Sequence, residues 1–196
     1  MPKSTFCNLS DDKRNRIFNA AVLEFSARRF SEASINQIIK NADIPKGSFY
    51  QYFNDKEDLY LYMLGEISKM KQEILQHEDS IDPNMNIFET VMQRTKESLA
   101  LGRIKSEYTK IGMLMELDNS EFITKIRAES TQKYMDIIER DKRHGFIKPE
   151  IDSELVMNMI FTFGLNEYFR NGFDENRYLK KLEDAIKIIK EGIVVS

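Results

Sequence analysis

The sequence has no tryptophan, one cysteine, two histidines, four prolines and eight glycines in 196 residues. Each scarcity excludes something. With Cys7 alone no internal disulfide can form, as expected of a chain in a reducing compartment such as the cytoplasm. So little Gly and Pro leaves few turn residues for a protein of many short strands, and an all-α fold is expected. The longest uncharged apolar-rich run, Leu155–Asn166, has 12 residues. A membrane helix needs roughly 18 to 20. No apolar stretch near the N-terminus resembles an export signal, so no membrane partner is expected. His77 and His144 sit among charged neighbours, and neither has a cysteine or second histidine at metal spacing. No G-x-S-x-G, Walker or dinucleotide glycine pattern occurs. Catalytic residues, metal and cofactors are therefore not expected, and the chain does not read as an enzyme. The formal charge of −3, from 29 basic and 32 acidic residues, gives no global attraction to nucleic acid.

What is present is helical periodicity. Ile17, Phe18, Ala21, Val22 and Phe25 share one face, with Asp11 and Asp12 placed for the positive end of a helix dipole. Ser34-Ile35-Asn36-Gln37 matches an S-x-x-Q capping box before a short stripe of Ile35, Ile38, Ile39 and Ala42. Pro45 then predicts the first position of a new helix, which ends near Tyr52. Asn54-Asp55-Lys56-Glu57 reads as an N-x-x-E start for a much longer helix, striped by Leu59, Met63, Ile67, Met70 and Ile74. Two short helices flanking a tight turn inside a three-helix unit make a helix-turn-helix pattern. Five further helices are predicted, over about 85–101, 104–117, 120–144, 152–170 and 174–194, with breaks at Pro83, Gly102, Asn119, Gly145 with Pro149, and Gly172. The total is about nine.

The run Ala42-Asp43-Ile44-Pro45-Lys46-Gly47-Ser48-Phe49-Tyr50-Gln51-Tyr52-Phe53-Asn54-Asp55-Lys56-Glu57-Asp58-Leu59, with Phe30 to Ile39 before it, resembles the DNA-binding domain of the TetR family of bacterial transcriptional regulators. That family's run reads approximately A-G-V-S-K-G-T-L-Y-x-Y-F-x-x-K-E-x-L. The resemblance covers roughly residues 10 to 65; beyond it only length and helical pattern match. It implies a helix-turn-helix DNA-binding domain over 1–56 and a helical effector-binding and dimerisation domain over 57–196. Asp43 stands where the family usually has glycine, and Asp is among the residues that best tolerate a left-handed backbone. Pro45 replaces a common Ser or Thr, removing a side-chain cap.

The residue chemistry agrees with a DNA-reading role. Lys46 supplies charge to a phosphate, and Gly47 lets the backbone approach one. Ser48, Tyr50 and Gln51 put a hydroxyl, a phenol and an amide on a helix small enough for a major groove, and a Gln amide pairs bidentately with adenine. Tyr52 has a polar tip for the backbone of DNA, and Ser34 caps a helix whose amides face an anion. Lys56 opposes its helix dipole, an oddity that a nearby phosphate would justify. Phe49, Phe53, Ile35, Ile38, Ile39 and Ile44 are core candidates. Arg14 and Arg16 fit solvated or phosphate-contacting roles equally. Residues 1–56 carry nine basic and six acidic side chains, a balance of +3, against −6 for the rest.

Methionine is abundant beyond residue 57. With the resemblance, Met63, Phe88, Met92, Tyr108, Met113, Phe122 and Met135 become candidates for a small-molecule effector pocket, although ordinary core filling is the commoner role for any single methionine among them. The helix over 152–170 is apolar around most of its circumference and needs burial on two sides. A central core position would supply this. So would a subunit interface of Met159, Ile160, Phe163, Leu182, Ile186 and Ile189, because members of the family dimerise through their last two helices. The expected function is a repressor that binds a double-stranded operator as a homodimer and is released by an effector. The alternative is a helical ligand- or partner-binding protein that kept the fold without sequence-specific DNA binding.

Overall fold

A computed structural model describes residues 2–75, 82–170 and 173–194. His77 and the break expected at Gly172 lie outside the described residues. Among the described residues there are ten α-helices and no strand, in agreement with the all-α expectation. The helices are α1 (Ser4–Cys7), α2 (Asp11–Ala27), α3 (Ile35–Asn41), α4 (Lys46–Tyr52), α5 (Lys56–Leu75), α6 (Ile87–Ile104), α7 (Ser106–Glu116), α8 (Glu121–Arg143), α9 (Ser153–Phe169) and α10 (Glu175–Ile193). A 3₁₀ turn, Phe30–Glu32, joins α2 to α3. The four-residue α1 is the element that periodicity does not predict, because it is too short to show a period.

Several boundaries shift for local reasons. Pro45 is the N-cap of α4, one position ahead of the expected place, with φ −61° and ψ 143°, and no side chain caps there. At the start of α5 the capping residue is Asp55, which accepts from the Asp58 N–H at 2.8 Å. Asp58 accepts from Asn54 N–H at 3.1 Å, the amide before the cap and not the cap's own, so the cap falls one residue later than N-x-x-E without a closed box. Gly102 does not break α6; it lies in the last turn, where a Cβ would collide with Thr109 Oγ1 of α7.

The described residues form two compact units, one from 2–75 with 100–124 and one from 82–99 with 125–170 and 173–194. This differs from a cut at residue 56. In the first unit, α2 packs against α3, α5 and α7, so the beginning of α5 and the buried Ile111 of α7 share a core with the helix-turn-helix. Ile17, Phe25, Ile38, Phe49, Phe53, Leu59 and Met63 are fully buried there. Edge-to-face rings add directionality: Phe25 to Tyr60 at 4.8 Å and Phe30 to Tyr60 at 5.1 Å. Ile35 is only partly buried. Burial fades along the α5 stripe, until Ile74 is exposed.

In the second unit α9 and α10 pack together, over a core that includes Ile138, Ile147, Met157, Ile160, Leu182 and Ile186. Gly145, with φ 74°, ends α8 in the left-handed conformation glycine favours. Its N–H donates to Lys142 O at 2.9 Å, and Phe146 N–H donates to Asp141 O at 2.9 Å. The Asp141 carboxylate, almost wholly buried, accepts from Ile87 N–H at 2.8 Å and from the Arg140 guanidinium at 2.9 Å. An acid from α8 thus satisfies the first amide of α6.

Candidate nucleic-acid interface

The turn between α3 and α4 closes despite its lack of glycine. Asp43 takes φ 52°. Its N–H donates to Lys40 O at 3.2 Å and Ile44 N–H donates to Ile39 O at 3.2 Å, the paired bonds of a Schellman motif. Arg16 reinforces the turn by donating to Ala42 O at 3.4 Å, with Asp43 Oδ2 at 3.7 Å.

Helical spacing then gives α4 two faces. Phe49 and Tyr52, with Phe53 beyond the helix end, are buried, whereas Lys46, Gly47, Tyr50 and Gln51 are exposed and Ser48 is half-buried. The Tyr50 ring is held edge-on by Phe49, with centroids 5.1 Å apart at 89°. A Cβ on Gly47 would meet nothing within 4 Å, so packing inside the chain places no demand for glycine there. The outward face therefore presents a cation, bare backbone, a phenol and an amide in two turns.

Ser34 caps α3, accepting from Gln37 N–H at 3.4 Å. The second half of the expected capping box does not form; Gln37 donates to Asn41 instead. Ser34 N–H is taken by Glu24 of α2, at 2.9 Å, which gives that buried acid its task.

Two residues with an expected role at DNA have internal ones. Tyr52 is buried, lying 6.1 Å from the Phe6 ring, with the Lys13 ammonium 5.4 Å from its own ring centre. Lys56 donates to Phe30 O at 2.6 Å, Ala33 O at 3.0 Å and Ser31 O at 3.5 Å, above the Phe30 ring. Burial lowers its pKa. The ammonium collects the carbonyls of the 3₁₀ turn, so its place at a helix N-terminus is explained within the chain. Arg14 pairs with Asp11, and Arg16 with Asp12 at 3.3 Å.

The remaining candidates fall in both units. Met63, Tyr108, Met113 and Phe122 are in the first, where Met63 is fully buried and Phe122 packs on Phe30 at 4.7 Å. Phe88, Met92 and Met135 are in the second, where Phe88 is core and the two methionines pack partly buried against it. Of the interface candidates, Ile160, Leu182 and Ile186 are buried in their own unit's core, with 2%, 2% and 7% exposure. Met159 is exposed, and Phe163 and Ile189 are partly buried. The exposed large apolar residues of α9 are Leu155, Met159 and Phe169, and that of α10 is Ile188, with Leu155 and Ile188 at 57% and 72% exposure.

Sequence reasoning also missed Asp118. This wholly buried carboxylate accepts from Ser31 N–H at 2.7 Å and Ser120 N–H at 2.8 Å. Burial pushes its pKa up, but hydrogen bonding from Ser120 and Ser31 prevails and holds it at about 2. It ties the corner between α7 and α8 to the 3₁₀ turn that leads into α3.

Among the described residues no group of three or more His, Cys, Asp or Glu side chains is arranged to hold a metal, and no helix is long and apolar enough to cross a membrane.

Residues 17–63 match the family model for "Bacterial regulatory proteins, tetR family". The uncharacterized HTH-type transcriptional regulator YdgC of Bacillus subtilis (strain 168) is 25% identical over 171 residues, covering 83% of this chain and 81% of its own. The regulator HbdR of Aromatoleum sp. (strain CIB) is 36% identical over 67 residues, 34% of this chain and 29% of its own. Among solved structures, a TetR family transcriptional regulator from Chloroflexus aurantiacus J-10-FL superposes with TM-score 0.72 at 25% identity, covering 100% of both chains.

Proposed function

We propose that this chain, which belongs to the TetR family of bacterial helix-turn-helix transcriptional regulators, is a one-component repressor in the cytoplasm. In this reading it binds a pseudo-palindromic operator as a homodimer and is released by a small apolar or amphipathic effector. The observation that carries the proposal is the division of α4. Its apolar side is consumed by the core, and Lys46, Gly47, Tyr50 and Gln51 are left outward; Tyr50 leans edge-on against Phe49, and the Lys46, Tyr50 and Gln51 side chains make no hydrogen bond or ion pair among the described residues.

With α4 in a major groove, Tyr50 and Gln51 meet base edges, and the Gln51 amide suits adenine. Lys46 and the open backbone at Gly47 meet phosphate, Ser48 lies at the edge of the contact, and Ser34 orders the neighbouring helix. Two such helices roughly 34 Å apart, as a dimer supplies, would read successive groove turns. Exposed Leu155, Met159 and Ile188 support a dimer face, with Phe163 and Ile189 at its margin. Partly buried Met92 and Met135 support an adaptable apolar effector site in the second unit. The effector releases DNA only by binding better to the conformation that does not hold it.

The test is selection from a random duplex pool with the full-length protein. An enriched inverted repeat, bound with an affinity that falls steeply with salt, is expected. Enrichment of nothing at low salt would refute the reading and favour a helical binding protein that acts through another partner.

A further inference from the structure

Helix α4 has seven residues, so a large share of its carbonyls has no acceptor role inside the helix, and an isolated helix of that length does not hold its shape in water. Its last three carbonyls nevertheless all have donors, and all come from one short segment near the N-terminus. Lys3 Nζ donates to Tyr50 O at 2.8 Å. Thr5 Oγ1 donates to Gln51 O. Lys3 N–H donates to Tyr52 O at 2.8 Å. Two of these carbonyls belong to residues of the outward face.

The segment is itself anchored. Phe6 is 2% exposed and packs 4.9 Å from the Phe53 ring and 4.8 Å from the Tyr62 ring. Cys7 O accepts from Arg14 of α2 at 2.8 Å. The donors are therefore held by the core on one side while they satisfy the end of α4 on the other.

We infer that Lys3, Thr5 and Phe6 are positioning residues for operator recognition: they finish the last turn of α4 and so set the direction of Tyr50 and Gln51 without touching DNA. The inference rests on the reading of α4 as the DNA-contacting helix. Without the clamp the last turn frays, only a fraction of molecules presents the outward face, and apparent affinity drops in proportion to that fraction. A phosphate contact by Lys3 is the rival explanation, and charge separates the two. Losing one phosphate contact lowers the slope of log K against log salt by about 1, whereas losing a clamp leaves the slope alone.

The experiment uses the full-length protein and the duplex enriched by selection, titrated over a salt series. Wild type is compared with Thr5→Val, Thr5→Ser, Phe6→Ala and Lys3→Met, and with Tyr50→Ala as the control on the reading. Thr5→Val removes a donor at constant charge and nearly constant shape, so it stays informative where Phe6→Ala fails to fold. Thr5→Val is expected to weaken binding on the order of 10-fold with unchanged slope. It is also expected to speed amide exchange at the end of α4 while α2 and α3 stay protected, and Thr5→Ser restores both. Wild-type affinity for Thr5→Val would overturn the inference, as would a loss confined to Lys3→Met with a slope lower by about 1. If Tyr50→Ala binds like wild type, it is the reading of α4 that fails.

Discussion

Replacing Asp118 by asparagine tests how strongly the corner between α7 and α8 grips the helix-turn-helix. The wild-type carboxylate is wholly buried and accepts from two amides, Ser31 N–H at 2.7 Å and Ser120 N–H at 2.8 Å. These bonds hold it at about 2 against an ordinary 3.8. At about 1.4 kcal/mol per pH unit, that difference corresponds to roughly 2 kcal/mol of stability near neutral pH. Asparagine keeps the shape but loses the charge, and its NH₂ faces an amide that also donates, so the variant should lose about that amount. The pH dependence has a definite sign. Because the folded pKa lies below the unfolded one, the contribution is fully present above about pH 5 and is lost as pH falls through 4 towards 2. With no tryptophan in the chain, urea unfolding is followed by circular dichroism at one protein concentration, so that association does not shift the comparison. Amide exchange at Ser31 and Ser120 reports the grip itself. Equal stability at pH 7, or a gap between wild type and variant that does not close on acidification, would refute the reasoning.

Other perturbations follow from individual contacts. Gly102→Ala should cost about 1–3 kcal/mol, because its Cβ meets Thr109 Oγ1, and adding Thr109→Ala should recover much of the loss in a double-mutant cycle by urea unfolding. Asp43→Gly should raise the thermal midpoint, since glycine relieves the positive φ by about 0.5–1 kcal/mol and the 3.7 Å pair with Arg16 is too exposed to offset it; Asp43→Val should lower it. Met159→Glu with Ile188→Glu should give a folded monomer by light scattering and circular dichroism. A dimer that survives both charges would place the interface elsewhere.

The sequence revealed most of what depends on neighbours a few residues apart. The five helices after residue 85 start and end within about three residues of the periodic pattern, and Ile17, Phe25, Ile38, Phe49 and Phe53 are core as their spacing predicts. Asp43 was legible as a left-handed residue because the rest of its motif surrounds it. What stayed hidden depends on distant partners. Glu24 takes the amide of Ser34, Asp141 that of Ile87, and Lys56 takes carbonyls more than 20 residues away; none of these pairings leaves a periodic trace. Tyr52 and Tyr50 are two residues apart with the same side chain; the spacing from Phe49 turns Tyr52 inward, but its partner there, Phe6, comes from a segment with no predicted structure. Along α9 the apolar residues go all the way round, so the pattern could not separate Ile160, in its own core, from exposed Met159 beside it.

The central claim is that the outward face of α4 reads DNA, and the most direct measurement titrates the enriched duplex with wild type, Lys46→Ala and Tyr50→Ala under one salt condition. Neither residue packs in the core, so both variants should keep wild-type circular dichroism and association state. The account predicts that both lose specific binding. Wild-type affinity in both folded variants would contradict it.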